Sequence, residues 1–331
     1  MLATYSTMLP LFDDPAGENP GFFDRAHLAE TLQRLAGEGI YLGTSSWKYE
    51  GWLGQIYAHE KYVVRGKFSK ARFEQNCLTE YAGTFPIVCG DFSFYQFPSE
   101  QFWQKLFTTA PPSLKFAFKV PEEVTCKVFP THPRYGPRAG EPNQTFLHAD
   151  IFEAAFLRPL ERYRERIPVL IFEFGAFSRR SYARPADFFA DLDIFLAKLP
   201  GGWRYAVEVR NEEFLSPEYF SVLRRNNVAH VFNAWAKMPP IQRQVEITEA
   251  FTTDFTVVRG LLRAGRVYEE AVKNFAPYER IQDANPETRQ TVRLLIDRAK
   301  KKREPAYLFI NNRLEGNAPA TIDAIVHDDA D

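Results

Sequence analysis

Charged side chains follow several short apolar runs of this chain, and one group has the composition of an acid–base site. Lys119 comes directly after one run, and Glu208 and Arg210 lie two residues apart in another. A carboxylate between two cations can act as a general base or orient a substrate, although the same set can also be a structural network that neutralises itself. We favour a functional cluster in which Glu208 is the base or orienting group and Lys119 and Arg210 stabilise charge. Glu173 and Asp91, which end two further runs, are additional catalytic candidates.

A second set of residues suits the binding of an anion. Arg259 ends one apolar run, and Asn311 and Asn312 end the next. The segment GNAP at 316–319 is typical of a loop that enters a helix with Asn317 as its N-cap. Exposed helix N–H groups beside an arginine suit a phosphate or a carboxylate. The alternative is that Asn311 and Asn312 bond only to loop backbone and that Asn317 only caps the helix.

Aromatic and small polar side chains near the same run ends are candidates for contacting a substrate. Aromatic rings could stack on a sugar or a base, although large aromatic residues more often pack a loop onto its neighbours. We keep Trp47 and Tyr95 as substrate-binding candidates. The full set comprises the aromatic residues Trp47, Tyr49, Trp52, Tyr95 and Trp235 and the polar residues Ser45 and Asn233.

Metal and nucleophile chemistry have weaker support. The six histidines show neither HxH nor HExxH spacing, which argues against a histidine-rich zinc site. A divalent metal such as magnesium, bound through Asp91 or Glu173, stays open, whereas no motif for an organic cofactor is present. Cys89 is expected inside the fold with no histidine nearby, so an inert thiol is favoured over a nucleophile.

A recurring unit of the chain must position these residues: a short apolar run, one or two polar residues, a loop and a helix-like stretch. The unit occurs eight times, as a closed parallel (β/α)₈ barrel requires, and such barrels keep their sites at the carboxyl ends of the strands. Because residues two apart on a strand share a face, Lys119, Glu208 and Arg210 should point into the barrel, as should Glu173 and Arg259. The runs end at 43–45, 89–91, 118–119, 172–173, 207–210, 232–233, 258–259 and 310–312.

The residues before the first run predict a helix outside the barrel. Three leucines recur at helical spacing after Asp24, which is a suitable N-cap. Since no linker rich in serine or glycine divides the 331 residues, we predict an N-terminal extension with one helix at 1–39 and a single α/β barrel domain at 40–327. The leucines are Leu28, Leu32 and Leu35.

The segment 122–148, which follows the third run, is too long to be a simple connection. It contains four prolines together with charged and aromatic residues, and loops of this length are usually functional or disordered. We expect a semi-rigid lid that folds over the mouth of the barrel near Lys119. We also expect this lid to be better ordered when a ligand is bound.

Composition restricts the class of protein. The formal charge is −1, with 41 basic and 42 acidic residues, so no overall field draws the chain to nucleic acid or to a membrane surface. The three cysteines lack CxxC spacing, which fits a reducing compartment and argues against a disulfide framework. No basic, apolar leader and no run long enough to span a bilayer is present, so we expect a soluble cytoplasmic protein without membrane contact.

Six segments, in order, resemble the YecE-like family, also described as domain of unknown function 72. The resemblance runs from about residue 40 to 326 and implies a TIM barrel with a shared mouth, without implying a known reaction. At Cys89, Asp91 and Glu173 the chain departs from the residues common in that family, so inference about carboxylates does not transfer. The segments are GTSSWKYEGW (43–52), DFSFYQFPS (91–99), KFAFKVPEEVT (115–125), YAVEVRNEEF (205–214), VFNAW (231–235) and FINNRLEGNAPATIDAI (309–325).

The function predicted from these observations is an enzyme, a hydrolase or a lyase, acting on a small molecule that bears a phosphate or a carboxylate. One alternative is a barrel that processes nucleic acid or phosphodiesters, with Arg134 and Arg138 on phosphates and tryptophans stacked on bases. The other is a non-catalytic ligand sensor. Glu208 is expected to be partly exposed, so that Glu208→Gln changes the free energy of unfolding by no more than about 1 kcal/mol. The substrate and the oligomeric state are not predicted.

Overall fold

The fold is built around a closed barrel of parallel strands. The structure, a computed structural model, describes residues 23–327. In this part of the chain, eight strands pair side by side in sequence order, and the last pairs with the first. The prediction of an α/β barrel is therefore confirmed. The barrel strands are β1 (Ile40–Thr44), β4 (Ile87–Gly90), β5 (Lys115–Lys119), β6 (Val169–Glu173), β7 (Tyr205–Glu208), β8 (Ala229–Ala234), β9 (Thr256–Gly260) and β10 (Ala306–Ile310), and a separate hairpin joins β2 (Val63–Val64) to β3 (Lys67–Phe68).

Alternation along the strands separates two cores, because successive side chains of a strand point to opposite faces. On β5, Ala117 points into the barrel, whereas Phe116 and Phe118 pack outward against the helices. On β7, Ala206 points inward and Val207 points outward. The same parity carries the charged residues at the ends of these strands into the barrel, as the sequence predicted.

Helices surround the barrel, and several begin with the capping chemistry of their sequence. Ser69, before the helix Lys70–Ala82, accepts a hydrogen bond from Arg72 N. Asn285, before the helix Pro286–Lys302, accepts one from Thr288 N. The α-helices are α1 (Arg25–Gly37), α2 (Lys70–Ala82), α3 (Glu100–Thr109), α4 (Glu122–Thr125), α5 (Ala149–Phe152), α6 (Arg158–Leu160), α7 (Pro185–Leu196), α8 (Pro217–Arg225), α9 (Ile241–Val245), α10 (Tyr268–Phe275), α11 (Pro286–Lys302), α12 (Asn312–Glu315) and α13 (Ala318–His327). Within residues 23–327, no helix has the length and apolar content needed to cross a bilayer.

The predicted helix before the barrel is α1. The Asp24 side chain accepts a hydrogen bond from His27 N, and the three leucines of the helical pattern are buried against the core. The remainder of the predicted extension, residues 1–22, lies outside the described residues. The helix ends at Gly37, and two residues later Gly39 adopts a positive φ of 86° just before β1.

The long segment after β5 is tied to itself by backbone hydrogen bonds. It begins with α4, and Phe129 N donates to Glu141 O while Gly140 N donates to Phe129 O. A six-residue 3₁₀ stretch, Pro133–Arg138, forms the turn between these two arms. We call residues 122–148 the lid segment. Its internal bonding agrees with the semi-rigid structure expected from its prolines.

Candidate functional site

A cavity of about 480 Å³ lies at the carboxyl ends of the barrel strands. Barrels of this fold keep their sites at this end. The lid segment forms one wall of the cavity, which confirms its predicted position over the mouth near Lys119. The strand-end residues that line the cavity are Asp91 after β4, Lys119 on β5, Glu173 on β6, Arg210 after β7, Trp235 after β8, Arg259 on β9 and Arg313 after β10.

Two glutamates form the floor of the charged cluster. The parallel register of β6 and β7 places Glu173 directly beside Glu208, and like charges at paired positions repel each other. Two arginines bridge them. Arg210 Nη2 lies 2.9 Å from Glu173 Oε1 and its Nε lies 3.2 Å from Glu208 Oε1. Arg259, from across the barrel on β9, places Nη1 2.6 Å from Glu173 Oε2 and also against Glu208 Oε2.

Lys119 and Asp91 complete this cluster through contacts with Glu173 and Arg259. Lys119 Nζ lies 2.9 Å from Glu173 Oε2 and 3.7 Å from Asp91 Oδ1, and Arg259 Nη2 lies 3.6 Å from the same Asp91 oxygen. The structure therefore brings all five catalytic candidates together, and it adds Arg259 to them. We call these six residues the ion cluster: Asp91, Lys119, Glu173, Glu208, Arg210 and Arg259.

Aromatic rings support two cations of the ion cluster. Lys119 Nζ lies 3.7 Å from the centre of the Phe94 ring, and the Arg210 guanidinium lies 3.7 Å from the centre of the Trp235 ring. Cation–π contacts of this kind hold a cation without neutralising it. Both cations can therefore keep a fixed position beside the cavity while they pair with Glu173.

The three cations fix the ionisation of Glu173. Burial by itself would raise the pKa of this carboxyl, but Arg210, Lys119 and Arg259 outweigh burial and hold the pKa far below its usual range. Burial likewise opposes the charge of Arg259, yet Glu208 and Glu173 raise its pKa well above the usual value. Glu173 and Arg259 therefore stay charged at physiological pH, which suits fixed electrostatic roles better than proton transfer.

The expectation that Glu208 is partly exposed is wrong. Its side chain is 0% exposed, which is less than the exposed fraction of Glu173 or Arg210. Both of its carboxylate oxygens contact a guanidinium. Alternation correctly predicted its inward direction, but long arginine side chains from β9 and from the end of β7 cover it. Glu208 does not line the cavity. Its geometry fits a counter-ion for the two arginines and does not place it within reach of a ligand.

The anion pocket predicted between Arg259, Asn311 and Asn317 does not form around one space. Arg259 is engaged by the carboxylates of the ion cluster, whereas the Asn311 side chain accepts from Arg313 N at 3.0 Å. Asn312 Oδ1 accepts from Trp52 Nε1 and Ala318 N. These contacts match the alternative of loop bonding and capping that the sequence also allowed.

A carboxylate of the chain itself fills the region near the start of α13. Glu315 is fully buried, and its Oε1 accepts from Asn285 N at 2.6 Å. Its Oε2 accepts from Arg289 Nη2 at 2.7 Å and from the Thr321 hydroxyl at 2.9 Å. Asn317, in turn, caps α13 by accepting from Ala320 N. Glu315 therefore already occupies several of the donors near this helix start.

The remaining substrate-binding candidates divide between the cavity and the core. Tyr95 lines the cavity and is 49% exposed, but Trp47 is buried and packs edge-on against Phe92. Ser45 and Asn233 are buried and do not line the cavity. The Asn233 side chain donates to Val209 O at 3.2 Å, and Trp47, like Ser45 and Asn233, does not line the cavity.

The residues described by the structure assemble neither a metal site nor an activated cysteine nucleophile. Within residues 23–327, no group of three or more His, Cys, Asp or Glu side chains has a geometry that could hold a metal ion. Cys89 points into the barrel, and burial raises the pKa of its thiol to about 12. A thiol with this pKa carries almost no thiolate at neutral pH and is a poor nucleophile.

Three further cations line the cavity without a carboxylate within 4 Å among residues 23–327. Each lies over an aromatic ring instead. Lys127 Nζ is 3.4 Å from the centre of Tyr182, the Arg134 guanidinium is 4.4 Å from Tyr95, and the Arg313 guanidinium is 4.7 Å from Tyr268. We call Lys127, Arg134 and Arg313 the open cations.

Two residues of the lid segment that are not among the sequence-predicted site residues, Glu122 and Tyr135, have the contacts of a functional pair. Glu122 is 4% exposed and lines the cavity, and its Oε2 accepts from the Tyr135 hydroxyl at 2.7 Å. A signal was present, because two glutamates follow the inward-facing end of β5 after two intervening residues. Arg313 had a similar signal, three residues beyond the end of β10.

Comparisons with known proteins give the family and the fold. A family model described as "Protein of unknown function DUF72" matches residues 41–328. A DUF72 family protein from Thermotoga maritima MSB8 is 21% identical, with a TM-score of 0.55, and the match covers 86% of this chain and 96% of that one.

A DUF72 family protein from Enterococcus faecalis V583 is 15% identical, also with a TM-score of 0.55, and the match covers 88% and 97% of the two chains. These likenesses show the same fold. No curated protein matches. The predicted resemblance is confirmed: the chain belongs to the DUF72 family of proteins of unknown function.

Proposed function

We propose that this protein is an enzyme acting on an anionic small molecule, one that carries a phosphate or a carboxylate, at the carboxyl-terminal mouth of its barrel. The observation that carries the proposal is the charge of the cavity wall. Six basic and three acidic residues line the cavity, apart from His132. Since the ion cluster neutralises itself, the excess positive charge belongs mainly to the open cations.

The open cations suit this role because they are positioned but unneutralised. A cation over an aromatic ring loses little of its charge, so it remains available to pair with an incoming anion. Two of the three, Lys127 and Arg134, belong to the lid segment, and Arg313 comes from the opposite wall after β10. An anion between these walls would join the lid segment to the barrel.

The ion cluster supports catalysis through fixed charge. A preorganised set of charges in a partly enclosed site stabilises charge that develops during a reaction without having to reorganise. Lys119 and Arg210 line the cavity and are held by both carboxylates and aromatic rings. This supports a role as charge stabilisers, with Glu173 and Glu208 fixing their positions and Asp91 at the rim.

The nucleic-acid alternative loses its main support. Trp52 is 0% and Trp47 6% exposed, and the Trp235 ring is covered by Arg210. Base stacking needs accessible rings, and of the aromatic candidates Tyr95 is the exposed one in the cavity. The arrangement fits a small ligand better than a strand.

Calorimetric titration with sulfate, phosphate and short dicarboxylates tests the proposal. We expect saturable binding of at least one of these anions, weakened about tenfold by Arg134→Gln, because a hydrogen bond to a charged group is lost. Arg138→Gln is the matched control. It lies in the same 3₁₀ stretch, but it pairs with Glu123 at 3.9 Å and does not line the cavity.

Equal loss of affinity in both variants, or no binding of any anion, would contradict the proposal. A panel of phosphate- and carboxylate-bearing metabolites then separates an enzyme from a sensor. An enzyme converts at least one of the ligands that raise its melting temperature, whereas a sensor binds them without product formation.

A further inference from the structure

Glu122 differs from every carboxylate of the ion cluster in lacking a charged partner. It is the first residue of α4, and it lies with its side chain buried against the cavity. The Tyr135 hydroxyl donates to Oε2, but Oε1 is buried with no hydrogen-bond partner. Among residues 23–327, no cation lies within 4 Å of this carboxylate. A buried acceptor atom without a partner is costly in a folded protein.

A proton on Oε1 changes this situation. Burial raises the pKa of Glu122, and the Tyr135 hydrogen bond, Arg134, Lys119 and Arg138 offset only part of that effect. When protonated, Oε1 becomes a donor, and the cavity beside it is where an acceptor could reach it. Glu173, on the same cavity, is held ionised by three cations. Two carboxyl groups with opposite protonation preferences in one site are the usual arrangement of acid and fixed charge.

We propose that Glu122 is the acid–base residue of the cavity, and that it binds the anion with a proton on Oε1 donated toward an oxygen of the ligand. This inference rests on the proposed function. In a hydrolysis, water adds to the phosphoryl or acyl centre of the ligand as the bond from that centre to the departing oxygen breaks, and the electron pair of that bond goes to the departing oxygen. The O–H bond of Glu122 breaks at the same time, and its proton forms a new O–H bond to the departing oxygen. The electron pair of the broken O–H bond stays on the Glu122 carboxylate, which the Tyr135 hydroxyl stabilises. Water returns the proton after the product leaves.

Proton uptake on sulfate binding tests this inference, because sulfate carries no titratable proton of its own near neutral pH. Calorimetry in buffers of different ionisation enthalpy counts the protons taken up per sulfate bound. Above the pKa of Glu122, we expect uptake to approach about one proton and affinity to fall about tenfold per pH unit. In Glu122→Gln, whose amide is a permanent donor, we expect no uptake and no such pH dependence.

Two matched variants keep the test specific. Glu123→Gln changes the neighbouring carboxyl of α4, which does not line the cavity, and His132→Gln removes the titratable imidazole from the lining. Both should keep the proton uptake of the wild type. Tyr135→Phe removes the hydrogen bond that lowers the pKa of Glu122, so uptake should begin at a higher pH.

Uptake that survives in Glu122→Gln, or sulfate binding to the wild type without uptake at any pH at which the protein stays folded, would overturn the inference while leaving the proposed function in place. Failure of the wild type to bind sulfate, phosphate or any dicarboxylate overturns the proposed function and this inference together. If Glu122→Gln does not fold, an unchanged uptake profile in Tyr135→Phe overturns the inference by itself.

Discussion

Replacement of Glu208 by glutamine should strongly destabilise the fold. In the wild-type ion cluster, three cations face three carboxylates. Glu208→Gln leaves one positive charge in excess, around a position that is 0% exposed. Both arginines that contact Glu208 are affected, since Arg210 Nε lies 3.2 Å from Oε1 and Arg259 Nη1 contacts Oε2. Asp91 cannot replace the missing charge, because it stands 3.6 Å from Arg259 and is one-third exposed.

The expected loss follows from these contacts. Breaking a buried ion pair by removing one partner costs about 3 to 5 kcal/mol. Because the glutamine oxygen can still accept one hydrogen bond from a guanidinium, we expect the lower part of this range, about 3 kcal/mol. Urea unfolding followed by circular dichroism measures the change as a lower midpoint at unchanged slope.

Two comparisons make the result specific to the buried charge. Glu246→Gln breaks an exposed ion pair with Arg243 at 3.0 Å and should change stability by less than about 0.5 kcal/mol. The double variant Glu208→Gln with Arg259→Gln removes the excess charge, so it should be less unstable than the two single losses combined. A Glu208→Gln protein within about 1 kcal/mol of the wild type would refute this account and show that water reaches the position.

The remaining predictions concern the His230 imidazole and the three cysteine thiols. Burial lowers the pKa of His230 from its usual 6.5 to about 4, so the unfolded chain binds this proton first. The contribution of the neutral imidazole to the free energy of unfolding should be complete above pH 6.5 and should fall by up to about 3 kcal/mol as pH approaches 4. In urea unfolding, the free energy of unfolding of His230→Gln should therefore decrease less than that of the wild type as the pH is lowered. Burial raises the pKa of the thiols of Cys77, Cys89 and Cys126 to about 12, so a chromogenic thiol reagent near pH 8 should titrate all three quickly only after denaturation. Fast reaction of a native thiol would contradict that account.

The periodicity of the strands correctly predicted which side chains point into the barrel, but it did not predict how deeply each one is buried. The two-residue repeat is fixed by backbone geometry, so it placed Lys119, Glu173, Glu208 and Arg259 inside the barrel. Burial of Glu208 depends on which long side chains cross the barrel above it. That depends on how the strands are staggered around the closed sheet, and a single sequence does not reveal this stagger.

Local sequence patterns also failed where a residue distant in the sequence supplied the hydrogen-bond partner. The GNAP segment correctly indicated a helix start, and α13 begins at Ala318. The competing anion, Glu315, lies within the chain, and its carboxylate accepts hydrogen bonds from Asn285, the N-cap of α11, and from Arg289 of α11. Glu122 gave no distinctive local signal, because a glutamate that follows a strand usually marks a solvated helix start. Its burial depends on the fold of the lid segment, in which Tyr135 donates a hydrogen bond to its carboxylate.

Anomalous diffraction from a crystal of the full chain soaked in selenate, a scattering analogue of sulfate, tests the central claim most directly. The account predicts a peak inside the cavity, within hydrogen-bond distance of at least one of Lys127, Arg134 and Arg313 and beside Glu122, and a weaker peak in Arg134→Gln soaked at the same selenate concentration. A peak at the start of α13 near Asn317, or a wild-type cavity without selenate, would contradict the claim that this mouth recognises an anion.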